Sequence, residues 1–127
     1  MSEKTTAGVR VHVRSQYVPS RSEPDEGIYF FTYTVTITNQ RPDAIQLLTR
    51  HWIIADADGR TEEVRGPGVV GQQPILQPGE SFRYTSFCPL PTQIGSMRGS
   101  YQMVDATGEH FDVEIPFFTL AQLYAIH

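Results

Sequence analysis

The feature that most constrains this chain is a polar/apolar alternation with a period of two. In "FTYTVTIT", Phe31, Tyr33, Val35 and Ile37 share one parity and threonines occupy the other. Successive side chains of a strand point to opposite faces, so this pattern predicts a strand with one face in a core and one in water. Threonine suits the wet face because its branched side chain packs on a pleated surface. The pattern recurs in "VRVHVR", where Val9, Val11 and Val13 oppose Arg10, His12 and Arg14. No segment shows the three-to-four spacing of an amphipathic helix.

The remaining strands follow the same rule with two exceptions. "LLTRHWIIADA" has bulky residues of both parities, which predicts a central strand covered on both sides. "RTEEV" is short and charged, as expected of an edge strand that resists pairing with another chain. "ILQPGESFRYTSF" carries a Pro78-Gly79 turn and then Phe82 and Tyr84 on one face. "MRGSYQMVD" aligns Met97, Tyr101 and Met103, and "HFDVEIPFF" aligns Phe111, Val113, Ile115 and Phe117. "DADG" (Asp56 to Gly59) and "DATG" (Asp105 to Gly108) are hairpin loops. About seven antiparallel strands result. They predict an all-β, immunoglobulin-like or fibronectin type III-like β-sandwich, with a closed barrel as the alternative. Trp52, on the third strand, is the expected centre of the core.

The chain of 127 residues reads as one domain, residues 1–127, with an ordered core over about 9–120. Residues 1–8 and the last few residues are expected to be loose ends. The formal net charge of -4 argues against a general nucleic-acid binder. No apolar run reaches the roughly 18 residues of a membrane span, and "MSEKTTAG" has no apolar signal region. The single cysteine, Cys88, cannot form an intramolecular disulfide, and its apolar neighbours predict a buried, inert thiol. A reducing, cytoplasmic setting is the expectation.

"RGPGVVGQQP" places Gly66, Gly68 and Gly71 in the spacing G-x-G-x-x-G. In a dinucleotide-binding fold such glycines follow a buried strand and open a helix whose N-terminus holds pyrophosphate. Here a charged strand precedes them, and Pro74 and Pro78 follow, so no useful helix can form. The glycines are expected first to shape a loop that crosses between sheets. Two weaker roles stay open. Backbone N–H groups of the loop could form an anion nest beside Arg65, holding phosphate weakly, and the loop could be a docking surface.

Four histidines, His12, His51, His110 and His127, show no metal-ligand spacing. A site built from His51, His110 and Asp56 has no support in the pattern, so no metal and no cofactor are predicted. Asp112 and Glu114 alternate against an apolar face and read as solvated carboxylates, and Glu62 and Glu63 carry no acid–base motif. No catalytic residue is predicted.

The pieces "HWII", "GPGVVG", "QPILQPGESFRYTS", "GSMRGSYQMVD" and "FDVEIPFF", in order, resemble the ApaG family over roughly Val9 to Leu120. The resemblance implies a fibronectin-like sandwich in a bacterial cytoplasmic protein whose biochemical role is poorly defined. It also implies association with an operon holding a diadenosine tetraphosphate hydrolase, with cobalt resistance and with magnesium efflux. Similar domains occur in an F-box ubiquitin-ligase subunit and a DNA-polymerase-interacting protein. These contexts point to a non-enzymatic domain, monomeric or homodimeric, that binds a protein partner, and not to a nucleic-acid or membrane binder. The alternative is a phosphate or pyrophosphate sensor using Arg65, Gly66, Gly68 and Gly71. Gln72 and Phe87 depart from the family pattern, where an acidic and a small residue are common.

Overall fold

A computed structural model describes residues 1–122. The strands are β1 (Ser2–Thr6), β2 (Val9–Tyr17), β3 (Tyr29–Asn39), β4 (Ile45–Asp56), β5 (Thr61–Pro67), β6 (Ile75–Leu76), β7 (Ser81–Leu90), β8 (Ile94–Asp105) and β9 (His110–Ala121). One sheet has the order β1-β2-β3-β7, and the other has the order β5-β4-β8-β9, with β6 also paired to β4. Every pairing is antiparallel. The sequence pattern foresaw the sandwich and its seven longer strands.

Two strands escaped the pattern. The loose end expected over residues 1–8 instead contains β1, which pairs with β2 in register from Ser2↔Val13 to Thr6↔Val9. "SEKTT" has no apolar parity to reveal it, because an edge strand needs none. β6 is a two-residue pairing with β4 that no pattern could mark. The loose C-terminal end falls at residues 123–127, outside the described residues.

The core lies between the sheets. Val9, Val11, Val13, Phe31, Val35 and Ile37 from one sheet meet Leu47, Trp52, Met97, Tyr101, Val113 and Leu120 from the other. Trp52 is 3% exposed, and its ring meets Tyr33, Tyr101 and Phe118 edge-on, with centroids 5.3, 6.5 and 6.0 Å away. Quadrupolar aromatic rings favour such crossings.

Two β-bulges correct the sequence reading. A register shift between Leu47 and Thr49 inserts Leu48 as an extra residue in β4. Ile45 and Leu47 point inward before it, and Trp52 points inward after it. The bulge therefore reverses parity, which is why β4 shows bulky residues on both faces. The strand is central, but its outer face, with His51 and Ile53, stays half-exposed instead of covered. A second shift, between Met97 and Gly99, lies opposite Pro116. Past it Phe118 is buried and Phe117 is 58% exposed, so Phe117 does not align with Phe111, Val113 and Ile115.

Candidate functional site

The bulge at Leu48 sets up the site. With parity reversed, Arg50 joins Trp52 and Ile54 on the inward side of β4. Arg50 pairs in register with Gly66 of β5 and Tyr101 of β8. Its Nη1 donates to the carbonyls of Pro67 and Gly68, both at 2.9 Å. The carbonyl of Leu48, pushed out by the bulge, accepts from the Gly68 N–H at 2.8 Å and from Gln73 Nε2 at 2.9 Å. The bulge thus anchors the glycine loop, and the loop wraps the guanidinium.

Each glycine of the motif has a separate reason. A Cβ at Gly66 would lie 3.0–3.2 Å from the guanidinium atoms of Arg50, so a larger residue there displaces the arginine. Gly68 has φ +60°, and a Cβ on it would strike the carbonyl oxygen of Gln72. Gly71 has φ +79° and lies in open space. It closes a two-residue hairpin in which Val69 and Gln72 exchange N–H···O bonds of 2.8 and 2.9 Å. Val70, the other central residue of that turn, has φ +42°. Positive φ at both central residues defines a type I′ turn, which asparagine or glycine adopts readily and a β-branched residue does not. Val69 is buried, and Val70 is 52% exposed.

The four residues singled out in the sequence do not converge. The Arg65 side chain lies on the outer face of β5, 3.5 Å from Glu63, which also meets His51 Nε2 at 2.7 Å. That hydrogen bond with His51 is the main reason the Glu63 carboxyl sits below its usual range. Arg50, His51, Arg65, Gly66, Pro67 and Gln102 line a shallow outer depression of about 590 Å³, so the guanidinium is reached from this side as well. Gly68 and Gly71 belong to the inner side, and the N–H groups of Gly68, Val69 and Gln72 are all spent within the protein. His51, His110 and Asp56 stand at separate levels of one sheet, opposite Ser100, Val104 and Gly95 of β8. Among the described residues no group of three or more His, Cys, Asp or Glu could hold a metal ion.

Sequence reasoning missed Arg50, although two signals were available. Arg50 has the parity of Trp52. The "DADG" hairpin register, with Trp52 opposite Val64, puts Arg50 opposite Gly66. Arg50 makes no ion pair among the described residues. It opens onto a crevice of about 350 Å³ bordered by Tyr33, Trp52, Val70, Tyr84 and Ser86. The crevice continues toward Ile54, Val64, Phe87 and Cys88, and ends among Asp56, Arg60 and Glu62. Burial raises the Tyr33 phenol above its ordinary value, and the nearby guanidinium pulls it the other way. Burial also pushes the Cys88 thiol up to about 11, which agrees with an inert role.

Fold and residues together define an all-β sandwich domain with a glycine hairpin and a cationic crevice at its open side. Residues 19–105 match the ApaG domain family. Protein ApaG of Bdellovibrio bacteriovorus is 50% identical over 127 residues, covering all of both chains. Protein ApaG of Acidovorax sp. is 57% identical over 112 residues, covering 88% of this chain and 82% of its own. A crystal structure from Bordetella pertussis, described as an ApaA protein, superposes with a TM-score of 0.87 at 52% identity, covering 94% of each chain. The chain belongs to the ApaG family. No helix among the described residues is long and apolar enough to cross a membrane.

Proposed function

We propose that this protein is a non-enzymatic binding domain that acts through protein–protein contacts in the cytoplasm, with the glycine hairpin as its contact element. The observation that carries this reading is Val70. It combines a backbone conformation that costs a β-branched residue about 1–3 kcal/mol with a large exposed apolar side chain at a loop tip. The turn requires the conformation, but nothing in the turn favours a β-branched apolar residue in it. Strain and exposed apolar surface are tolerated together where a partner covers them. Val70 also borders the Arg50 crevice, so the tip and the cation face one ligand.

Val70→Asn tests the reading. Asparagine tolerates the left-handed region, so the variant should gain about 1 kcal/mol in urea melts. In affinity capture from native lysate it should lose a partner that the wild type retains. If the variant retains every partner, the hairpin is not the contact element. The phosphate-sensor alternative gains support only if pyrophosphate binds with micromolar affinity and Arg65→Ala abolishes that binding.

A further inference from the structure

Among the described residues the two sheets expose four edges, and three are defended. β5 carries Glu62, Glu63 and Arg65. β1 is short and charged. β9 has Pro116 near its centre, and β1 lies against it through Lys4–Glu114 and Thr6. β7 differs. Its sequence "SFRYTSFCPL" holds one charge, Arg83, and its only proline is close to one end. From Phe82 to Cys88 the edge is a continuous run suited to strand pairing.

The parity of the free backbone groups follows from the pairing with β3. The Asn39 N–H donates to the Glu80 carbonyl at 2.9 Å, which makes even-numbered residues of β7 the hydrogen-bonded partners of β3. Pro89, with no N–H, fits the opposite parity. So do the close hydroxyl pairs Thr34–Thr85 and Thr38–Ser81, both at 2.8 Å. Arg83, Thr85 and Phe87 therefore turn their N–H and C=O groups away from β3. No backbone partner meets them among the described residues. A strand added there would lie about 4.8 Å from β7 and would roof the crevice between β7 and β5.

Extending the proposed protein-binding role, we infer that β7 accepts an extended acidic peptide segment as an added strand, with one carboxylate side chain reaching Arg50. The chemistry is set by the crevice floor. Arg50 spends Nη1 on two carbonyls and meets no carboxylate among the described residues, so the rest of its fork is suited to an incoming one. The next position inward, toward Val64, Ile54 and Phe87, is apolar. The segment therefore carries an acid and, two residues away, an apolar side chain, since alternate residues of a strand share a face. A second copy of this chain pairing through its own β7 does not fit, because β7 contains no Asp or Glu to meet Arg50.

The probe is a blocked synthetic peptide alternating threonine and valine, long enough to lie along β7, with one valine replaced in turn by glutamate. At one glutamate position, NMR titration should shift the Arg83, Thr85 and Phe87 amides and slow their hydrogen exchange. Emission from Trp52, the sole tryptophan, should change at the same concentrations. Replacing the glutamate by glutamine, or Arg50 by methionine, should weaken binding by at least about tenfold, the expected loss of a charge-assisted contact. Thr85→Pro, at the parity the strand already tolerates in Pro89, should abolish the slowed exchange. Equal binding of the glutamine peptide would overturn the role of Arg50. Unmoved β7 amides with every peptide, or concentration-dependent dimers formed through β7, would overturn the docking groove. The hairpin role of Val70 stands or falls separately, because it is read from capture by Val70→Asn and not from these amides.

Discussion

The two long sides of this sandwich are built on opposite principles. On one side β9 is stitched to β1 and β2. Lys4 meets Glu114 at 2.7 Å, the Glu114 N–H donates to Thr6 Oγ1, and Ser15 Oγ donates to the Thr119 carbonyl at 2.8 Å. On the other side no hydrogen bond joins β5 to β7 among the described residues. That side is lined by aromatic rings, a thiol and Arg50, with Asp56, Arg60 and Glu62 at its far end, and Arg50 has no carboxylate partner among the described residues. A sandwich needs only its interior to be stable, so neither seam is required by the fold itself. The closed seam protects an edge. The open seam leaves a crevice, and the bulge, Gly66 and the glycine hairpin are all arranged around the cation within it.

The largest effect should come from the residue that serves both the core and the crevice. Trp52→Ala removes a buried ring that meets three aromatic side chains, and should cost about 3–5 kcal/mol in urea melts. A loss below about 1 kcal/mol would mean that the open side is loose down to its floor, and the contrast between the seams would then be one of packing instead of lining. Next come the glycines of the hairpin. Gly68→Ala meets both a positive φ and the Gln72 carbonyl, and should cost about 2 kcal/mol or more. Gly71→Ala meets only a positive φ in open space and should cost about 1 kcal/mol. Equal costs would show that the Gln72 contact relaxes freely and that the loop is not tightly anchored to the Leu48 bulge.

The open side also predicts a response to alkali. Burial raises the Tyr33, Tyr84 and Tyr101 phenols above their ordinary value of 10.0 and the Cys88 thiol from 9.0 to about 11. The folded state then keeps protons that the unfolded chain has released. Stability is full below pH 9 and falls as pH rises past the ordinary thiol and phenol values, by about 1 kcal/mol per pH unit for each such group. Chemical melts across that range measure it. Iodoacetamide should likewise modify native Cys88 slowly, with a rate still rising at pH 10. A rate that levels off near pH 9 would mean that the crevice admits water to the thiol.

How far the sequence revealed this depended on parity. Where alternation was unbroken, as in β2 and β3, every residue it assigned inward is buried. Where one residue was inserted, it misled: at Leu48 it made β4 look covered on both faces, and beside Pro116 it inverted what followed. Phe117 was therefore assigned to the core, and Arg50 escaped notice beside the more conspicuous His51 and Trp52. A bulge is a matter of pairing between strands distant in sequence, and a single strand's pattern cannot display it. The glycine spacing was legible as a loop device, but the reason for Gly66 was not, because the guanidinium it accommodates comes from a different strand. Arg65 looked prominent only because it adjoins the glycines in the chain, and β alternation turns it to the opposite face.

The smallest effect is expected at the closed seam, which tests whether stitching and stability are the same thing. Lys4 and Glu114 are each about half-exposed, with side-chain exposures of 49% and 53%. Water and salt screen such a pair, and ordering two long side chains offsets part of the attraction. A double-mutant cycle over Lys4→Ala and Glu114→Ala should give a coupling of about 1 kcal/mol or less, decreasing further in molar salt. Hydrogen exchange at the β9 amides should nevertheless rise in both variants, because β1 then opens more often without global unfolding. A coupling above about 2 kcal/mol would make the pair a true fastener of the fold. Unchanged β9 exchange would mean that the backbone ladder from β1 to β2 guards this side unaided, leaving the ion pair to protect nothing.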